Sequence, residues 1–390
     1  MHYNFDQLKD RRHSECTKWH VGENELPMSM ADMDFETAPE IKKAFADRIA
    51  QGVFGYADLP DDWADAYVSW WGSRHHFQVD PQWLVYSSGV IPTISSTVRK
   101  LTSPAEKVVV LTPSYNIFFN SIVNNGRYVL ECPLRYRDSV YDIDFEALEA
   151  ALSDPQATLL ILCNPHNPVG KIWDRETLLR ITELCIKHSV LVLSDEIHCD
   201  LTDPGKEYIP YASVSPEAAQ ISITCVAPTK AFNLAGIQSS AVIVPNPALR
   251  HRVWRALNTD EVGEASILGA LAPAAAFKQG GAWLDAMRAY VYENKQYVRR
   301  FIAENLPQIT VIPSDATYLL WMDCRRISGD STRLASFLRQ HTGLILVNGA
   351  GYGAGGNGFL RIALACPRSP AEDGMARLAR GVQEFLAQEK

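Results

Sequence analysis

Seven short apolar runs, separated by stretches whose apolar residues recur at helical spacing, constrain this chain more than any other feature. The runs cover 84–87, 108–111, 128–132, 159–163, 190–194, 221–226 and 240–244. Between them, segments such as 145–152 and 175–188 gather their apolar side chains on one helical face. Strands alternating with helices predict an α/β fold, with a mostly parallel seven-stranded sheet flanked by helices. In such a sheet ligands sit beyond the carboxyl ends of the strands. The residues just after each run are therefore the candidates for chemistry.

Two of them complement each other. Asp195 ends the run Val190-Leu191-Val192-Leu193-Ser194, and Lys230 follows the next run in Ala227-Pro228-Thr229-Lys230-Ala231-Phe232-Asn233. A lysine after a strand is ordinarily a solvated loop residue. Paired with a carboxylate on a neighbouring strand end, it suits pyridoxal phosphate chemistry. The amine forms a Schiff base with the aldehyde, and the acid keeps the pyridine nitrogen protonated so that the ring accepts electrons. A third strand end carries Asn164-Pro165-His166-Asn167-Pro168-Val169-Gly170. This turn is punctuation first, yet Asn167 can also donate a side-chain hydrogen bond into the same crevice.

Two further turns fit an anionic, planar ligand. Ser87-Ser88-Gly89-Val90-Ile91 leads from the first run into a helical segment, so the amides of Gly89, Val90 and Ile91 can face a phosphate. Tyr115, in Thr112-Pro113-Ser114-Tyr115, offers a flat face and a polar tip. Each piece alone is an ordinary turn or core residue.

Together they resemble the fold-type I, aspartate-aminotransferase-like superfamily of pyridoxal phosphate enzymes over nearly the whole chain. The resemblance implies that Lys230 is the Schiff-base lysine, Asp195 the partner of the pyridine nitrogen and Asn167 the donor to the ring hydroxyl oxygen. It makes Arg361, in Gly358-Phe359-Leu360-Arg361-Ile362, the clamp on the substrate carboxylate. It makes 87–91 the phosphate cradle, Tyr115 the ring-stacking aromatic, and Tyr56 a tyrosine that reaches the phosphate of a neighbouring subunit. A homodimer with shared active sites follows from the last of these.

Within that superfamily the chain is most similar to the MalY/PatB-type cystathionine β-lyases, or C–S lyases. The carrying strings are Ala31-Asp32-Met33-Asp34-Phe35, Ser194-Asp195-Glu196-Ile197-His198, Thr317-Tyr318-Leu319-Leu320-Trp321-Met322-Asp323 and Cys366-Pro367-Arg368-Ser369. His198 stands where aminotransferases place a tyrosine near the ring oxygen. Gln238 and Ala227 replace a phosphate-binding arginine and serine, leaving Thr229 as the nearer hydroxyl. The implied reaction releases a thiol, pyruvate and ammonia from cystathionine or a related cysteine S-conjugate. Lys230 would take the Cα proton and Arg361 would hold the carboxylate. An aminotransferase begins in the same way and remains the alternative, as does a lyase that also binds a regulatory protein.

A chain of 390 residues exceeds what one hydrophobic core usually organises. Beyond about residue 275 the pattern changes to a long helix (283–306) and strand-like runs at 310–312, 318–323 and 344–347. The expected division is a large coenzyme-binding domain at 46–275 and a smaller α/β domain at 276–390, completed by an N-terminal segment at 1–45. A net charge of −8 with no basic run argues against a nucleic-acid surface. The eight cysteines are scattered without a C-x-x-C pair, so neither a zinc site nor a disulfide framework is expected, and cytoplasm is the simplest location. No apolar stretch is long enough to span a bilayer, and the first residues are polar rather than signal-like. Gly349-Ala350-Gly351-Tyr352-Gly353-Ala354 fits a loose dinucleotide pattern, but more glycines and a strand follow it instead of a helix. A flexible hairpin beside the substrate entrance is expected there.

Overall fold

A computed structural model describes residues 3–388. All seven runs form strands of one sheet: β1 (Leu84–Ser87), β2 (Lys107–Thr112), β3 (Tyr128–Pro133), β4 (Ala157–Cys163), β5 (Leu191–Asp195), β6 (Ser222–Val226) and β7 (Ser240–Ile243). Their order is β1-β7-β6-β5-β4-β2-β3. Only β7 runs against its neighbours, so the sheet is mixed but mostly parallel.

Helices cover both faces, which is why the central strands read as continuous apolar runs rather than alternating ones. Leu159, Leu160, Val192, Leu193 and Ile223 are all fully buried. Burying one such side chain contributes roughly 1.5–3 kcal/mol. The flanking helices start where short polar side chains offer caps. Asp174 accepts from the Thr177 amide at 2.7 Å ahead of the helix Arg175–Lys187, and Asp144 caps Phe145–Leu152 in the same way.

The C-terminal third forms a second, antiparallel sheet from β8 (Thr310–Val311), β9 (Leu319–Asp323), β10 (Val347–Asn348) and β11 (Phe359–Ala363), in the order β8-β9-β11-β10. The expected long helix is Gly281–Asn305. The 344–347 run is not one strand. Leu344–Ile345 pairs in parallel with Leu26–Pro27, whereas Val347–Asn348 pairs with β11, so the chain changes partner at Leu346. A single apolar run cannot announce that switch, because both halves are equally strand-like.

The N-terminal segment also packs on the long helix, with the Phe5 ring 5.8 Å from Trp283. The expected boundaries after residues 45 and 275 fall inside the helices Pro39–Ala50 and Ile267–Gln279, which pack against each other.

The glycine-rich loop is a hairpin between β10 and β11 that opens on a four-residue 3-10 turn, Gly349–Tyr352. Close contact explains its first glycine. A Cβ on Gly349 would lie 2.0 Å from the Gly356 carbonyl oxygen. The loop is also fastened to the large sheet, since the Ser114 amide donates to the Tyr352 carbonyl at 2.9 Å and the Ala354 amide to Glu131 at 2.6 Å.

All eight cysteines are free thiols, and seven are buried. No described helix is long and apolar enough to cross a membrane.

Candidate active site

Three adjacent parallel strands, β4, β5 and β6, end level with one another. Cys163 is in register with Asp195, and Asp195 with Cys225. The ladder continues one step beyond the strands, through Asn164 N to Asp195 O and Glu196 N to Cys225 O, both 3.0 Å. Asn167, Asp195 and Lys230 therefore come to one edge of the sheet although 63 residues of sequence separate the first from the last.

Asp195 is buried, and its Oδ1 accepts from the Ile197 amide at 3.2 Å. Burial pushes its carboxyl up to about 6, against the pull of Lys230. A carboxylate in that position is short of a cation. The neighbouring Glu196 is more deeply held, taking hydrogen bonds from Ser194, Tyr208 and the Tyr211 amide, and burial pushes it up to about 8.

Lys230 lies in a turn closed by the Phe232 and Leu234 amides, which donate to the carbonyls of Pro228 and Thr229. Its Nζ donates to the Ala31 carbonyl at 2.6 Å. Burial lowers the amine's proton affinity, and Asp32 and Asp195 oppose that while Arg361 reinforces it. A desolvated amine among mixed charges is the kind that can act as nucleophile or base at neutral pH.

Arg361 reaches the same place from the second sheet, on β11. Nη1 donates to Asn167 Oδ1 at 3.0 Å and Nη2 to the Ser29 carbonyl at 2.9 Å, and the Tyr352 ring lies 5.4 Å from the guanidinium carbon. Nε is buried without a partner, and among the described residues no acid pairs with this guanidinium. A buried, oriented arginine lacking a counter-charge is a site for a carboxylate.

His198 is buried with an unpartnered Nδ1 and faces the edge of Tyr318 at 6.3 Å. Burial first, then the cations Lys230 and Arg361, hold it down to about 3, so it is neutral in the working pH range. Tyr115 is partly buried and meets Phe118 edge-on at 5.7 Å. Its phenol is raised by burial and feels both Arg361 and Asp195, which puts it beside the crevice.

The turn 87–91, expected to cradle a phosphate, has the backbone such a group needs. Gly89 begins the helix Val90–Leu101 with no side-chain cap, so the first-turn amides of Val90 and Ile91 have no partner from a capping residue. The hydroxyls of Ser87 and Thr93 donate to the Gly89 carbonyl at 3.2 and 2.9 Å, which fixes the turn. Thr229 is buried at the neighbouring strand end. Gln238 has a left-handed backbone (φ 58°), is exposed, and accepts from Tyr86 through its carbonyl at 3.2 Å. Tyr56 is not part of this cluster. It stands fully exposed in a loop beside Gln238 and Ser266, lining an open groove of about 650 Å³.

These observations fit a pyridoxal phosphate site, because each part of that group has a matching feature here: a desolvated amine, a buried carboxylate, an unpartnered His198 Nδ1 and an uncapped helix start. Lys230 would meet the aldehyde and Asp195 the ring nitrogen. Asn167 and His198 would serve the ring oxygen, and the amides at 89–91 would hold the phosphate.

The N-terminal segment 29–35 was missed as a site element. Lys230 and Arg361 both donate to its carbonyls, and the Asn233 side chain, from the lysine turn, donates to Met33 O at 3.2 Å and Phe35 O at 2.7 Å. Two acids in an otherwise apolar stretch, Asp32 and Asp34, were the available signal. Cys199 and Asp200, further along the turn after β5, bring one ligand atom each within 4.8 Å of His75, but Asp200 Oδ1 already accepts from Trp70 and His75 and anchors the helix Asp62–His75.

Residues 23–378 match the model of the aminotransferase class I and II family. The chain belongs to that family. Among its members, cystathionine beta-lyase PatB of Bacillus subtilis is 39% identical over 381 residues, covering 96% of this chain and 98% of that one. Protein MalY of Escherichia coli is 32% identical over 389 residues, covering 98% and 99%. Cystalysin from Treponema denticola, solved with a pyridoxal 5′-phosphate cofactor, superposes with a TM-score of 0.95 at 32% identity over 98% of this chain and 100% of that one. The fold, with its mixed seven-stranded sheet and flanking helices, is that of the family, and the chain falls in its MalY/PatB branch.

Proposed function

We propose that this chain is a pyridoxal-phosphate-dependent C–S β-lyase, cleaving cystathionine or a related cysteine S-conjugate to a thiol, pyruvate and ammonia. The observation that carries the reading is the meeting of a desolvated Lys230 amine with Asp195 and with Arg361, which pairs with no acid among the described residues. Relatives named cystathionine beta-lyase, alike over nearly their full length, support the reaction class.

The coenzyme, when bound, supplies an aldehyde for the substrate's amine and a ring that accepts the electron pair left at Cα. The rest is work for this chain's side chains. Arg361, aimed by Asn167 and the Ser29 carbonyl, binds the substrate carboxylate and fixes which Cα bond faces Lys230. The Lys230 amine takes the Cα proton and holds it at Nζ. Asp195 would hold the ring nitrogen's proton and stay an anion there, because a cation at that place would offset the burial that otherwise raises it. His198, neutral, can donate one N–H without adding a charge.

The same reading gives the enzyme as a cytoplasmic homodimer. Tyr56 and its neighbours Val53 and Phe54 project apolar surface from one exposed loop, as a subunit contact would need. Tyr56 would then complete the partner's phosphate site. The N-terminal segment would close over the crevice with the second sheet as a smaller domain.

The deciding experiment supplies purified protein with L-cystathionine and no keto acid. Pyruvate release, together with loss of both visible coenzyme absorbance and turnover in Lys230→Ala, is expected. Consumption of an added keto acid without pyruvate from cystathionine alone would instead make it an aminotransferase.

A further inference from the structure

The acids of the 29–35 segment lie in an unusually complete hydrogen-bonded frame. Arg11 Nη2 donates to Asp32 Oδ2 at 2.9 Å, while its Nη1 donates to Asp34 Oδ1 at 2.9 Å and to the Met33 carbonyl at 2.6 Å. Lys18 Nζ donates to the Asp32 carbonyl at 3.0 Å and to Asp34 Oδ2 at 2.7 Å, and the Trp19 indole N–H donates to Asp34 Oδ1 at 2.8 Å. Asp34 is thereby saturated, and the Asp34 amide is tied to the Ala365 carbonyl at 2.8 Å. Asp32 differs. Its amide donates to Met30 O at 2.9 Å, turning the backbone tightly just where the Ala31 carbonyl receives the Lys230 amine. Its second carboxylate oxygen, Oδ1, takes no hydrogen bond among the described residues.

Two cations for two acids leave the frame near neutrality, so a structural role alone needs only Asp34, which Lys18 and Arg11 already anchor. The placement of Asp32 next to the lysine contact is not required for that. The charged and titratable groups that act on or feel Nζ come from three elements: Asp32 from the N-terminal segment, Arg361 from β11, and Asp195 and His198 from the end of β5; the phenols of Tyr115 and Tyr318 feel the same Arg361. Asp32 raises the amine's hold on a proton and Arg361 lowers it, and the same two charges act in opposite senses on the buried Tyr318 phenol.

We propose that Asp32, oriented by Arg11, is a positioning residue for Lys230: its carboxylate offsets the Arg361 guanidinium and lets the amine accept and hold a proton. Arg361 has to be present and cationic to bind the substrate carboxylate, and it pushes protons off the nearby amine. An anion on the residue next to the carbonyl that receives the amine offsets that conflict. Arg11 and Lys18 of the N-terminal arm then serve the catalytic lysine through Asp32 and the 29–35 segment, although neither side chain touches a reacting atom. This rests on the lysine's role in the proposed reaction, but its test does not.

The test labels Lys230 in the full-length, coenzyme-free protein with trinitrobenzenesulfonate over a range of pH, and reads the site by peptide mass spectrometry. In Asp32→Asn the pH of half-labelling is expected to fall by about one unit, as loss of a nearby unit charge in a desolvated site implies. In Arg11→Gln it is expected to rise, because Asp32 loses its compensating cation. With coenzyme restored, the acidic limb of kcat/KM against pH should move the same way in each variant, and KM should change by less than about twofold because Arg361 is untouched. Asp32→Glu should recover most of the wild-type curve. A labelling curve in Asp32→Asn that overlies wild type, even with a lowered melting temperature, would overturn the proposal. If Asp32→Asn does not fold, an unmoved curve in Arg11→Gln would do the same. A protein that failed to cleave cystathionine would still give these labelling curves, so the two readings fail separately.

Discussion

Replacing Asp195 by asparagine should stabilise the coenzyme-free protein while crippling the enzyme, and the structure sets the size of the gain. The carboxyl is buried and moves from an ordinary 3.8 to about 6. At about 1.36 kcal/mol per unit, ionising it in the folded protein costs roughly 3 kcal/mol more than in the unfolded chain. The sign follows from the direction of the shift. For an acid raised on folding, stability is intact below pH 3.8, is lost progressively between 3.8 and 6, and stays lower by the full amount at pH 7. Asparagine is neutral throughout and can still accept from the Ile197 amide. Its advantage should therefore be near zero at pH 4 and about 3 kcal/mol at pH 7. With an unfolding entropy of about 0.8 kcal/mol per kelvin for 390 residues, that corresponds to roughly 4 °C in melting temperature. The assay is calorimetry of coenzyme-free wild type and Asp195→Asn at both pH values, alongside turnover of the loaded proteins. Turnover should fall on the order of a hundredfold, since a preorganised charge at the reacting group is lost. Equal melting temperatures at pH 7, or the same gain at pH 4 as at pH 7, would refute the argument that a desolvated anion stands in this crevice awaiting a cation.

Arg361→Lys should raise KM about tenfold or more, because one ammonium cannot keep the bonds to Asn167 and Ser29 and also grip a carboxylate with two N–H groups; steady-state kinetics with an unchanged KM would count against the clamp. Gly349→Ala should destabilise by about 1–3 kcal/mol, since its Cβ would sit 2.0 Å from the Gly356 oxygen, and a melt that matches wild type would show that the hairpin yields easily. Mixing Tyr56→Phe with Lys230→Ala subunits should regenerate some sites of wild-type-like activity if Tyr56 serves the neighbouring subunit, and a strictly monomeric protein in sedimentation would end that idea.

Much of this could be read directly along the chain. The large sheet was legible because each strand is a local apolar run buried on both faces, and periodicity survives translation into structure within a residue or two. Asp195, Asn167 and Lys230 were legible for a related reason: in a parallel sheet the residue after a strand lands on one common edge. What the sequence could not supply was which distant segments close that edge. Nothing in the spacing of Arg361 says that it reaches Asn167, 194 residues away. Nothing in Ala31 says that it meets a lysine 199 residues later. The split of 344–347 between two sheets was hidden likewise. Local propensity determined the elements and the order in which they carry their functional residues. The packing of the second sheet and the N-terminal arm against the crevice decided the charges around the lysine. Those charges act through space, and the distances that set them exist only once the chain has folded.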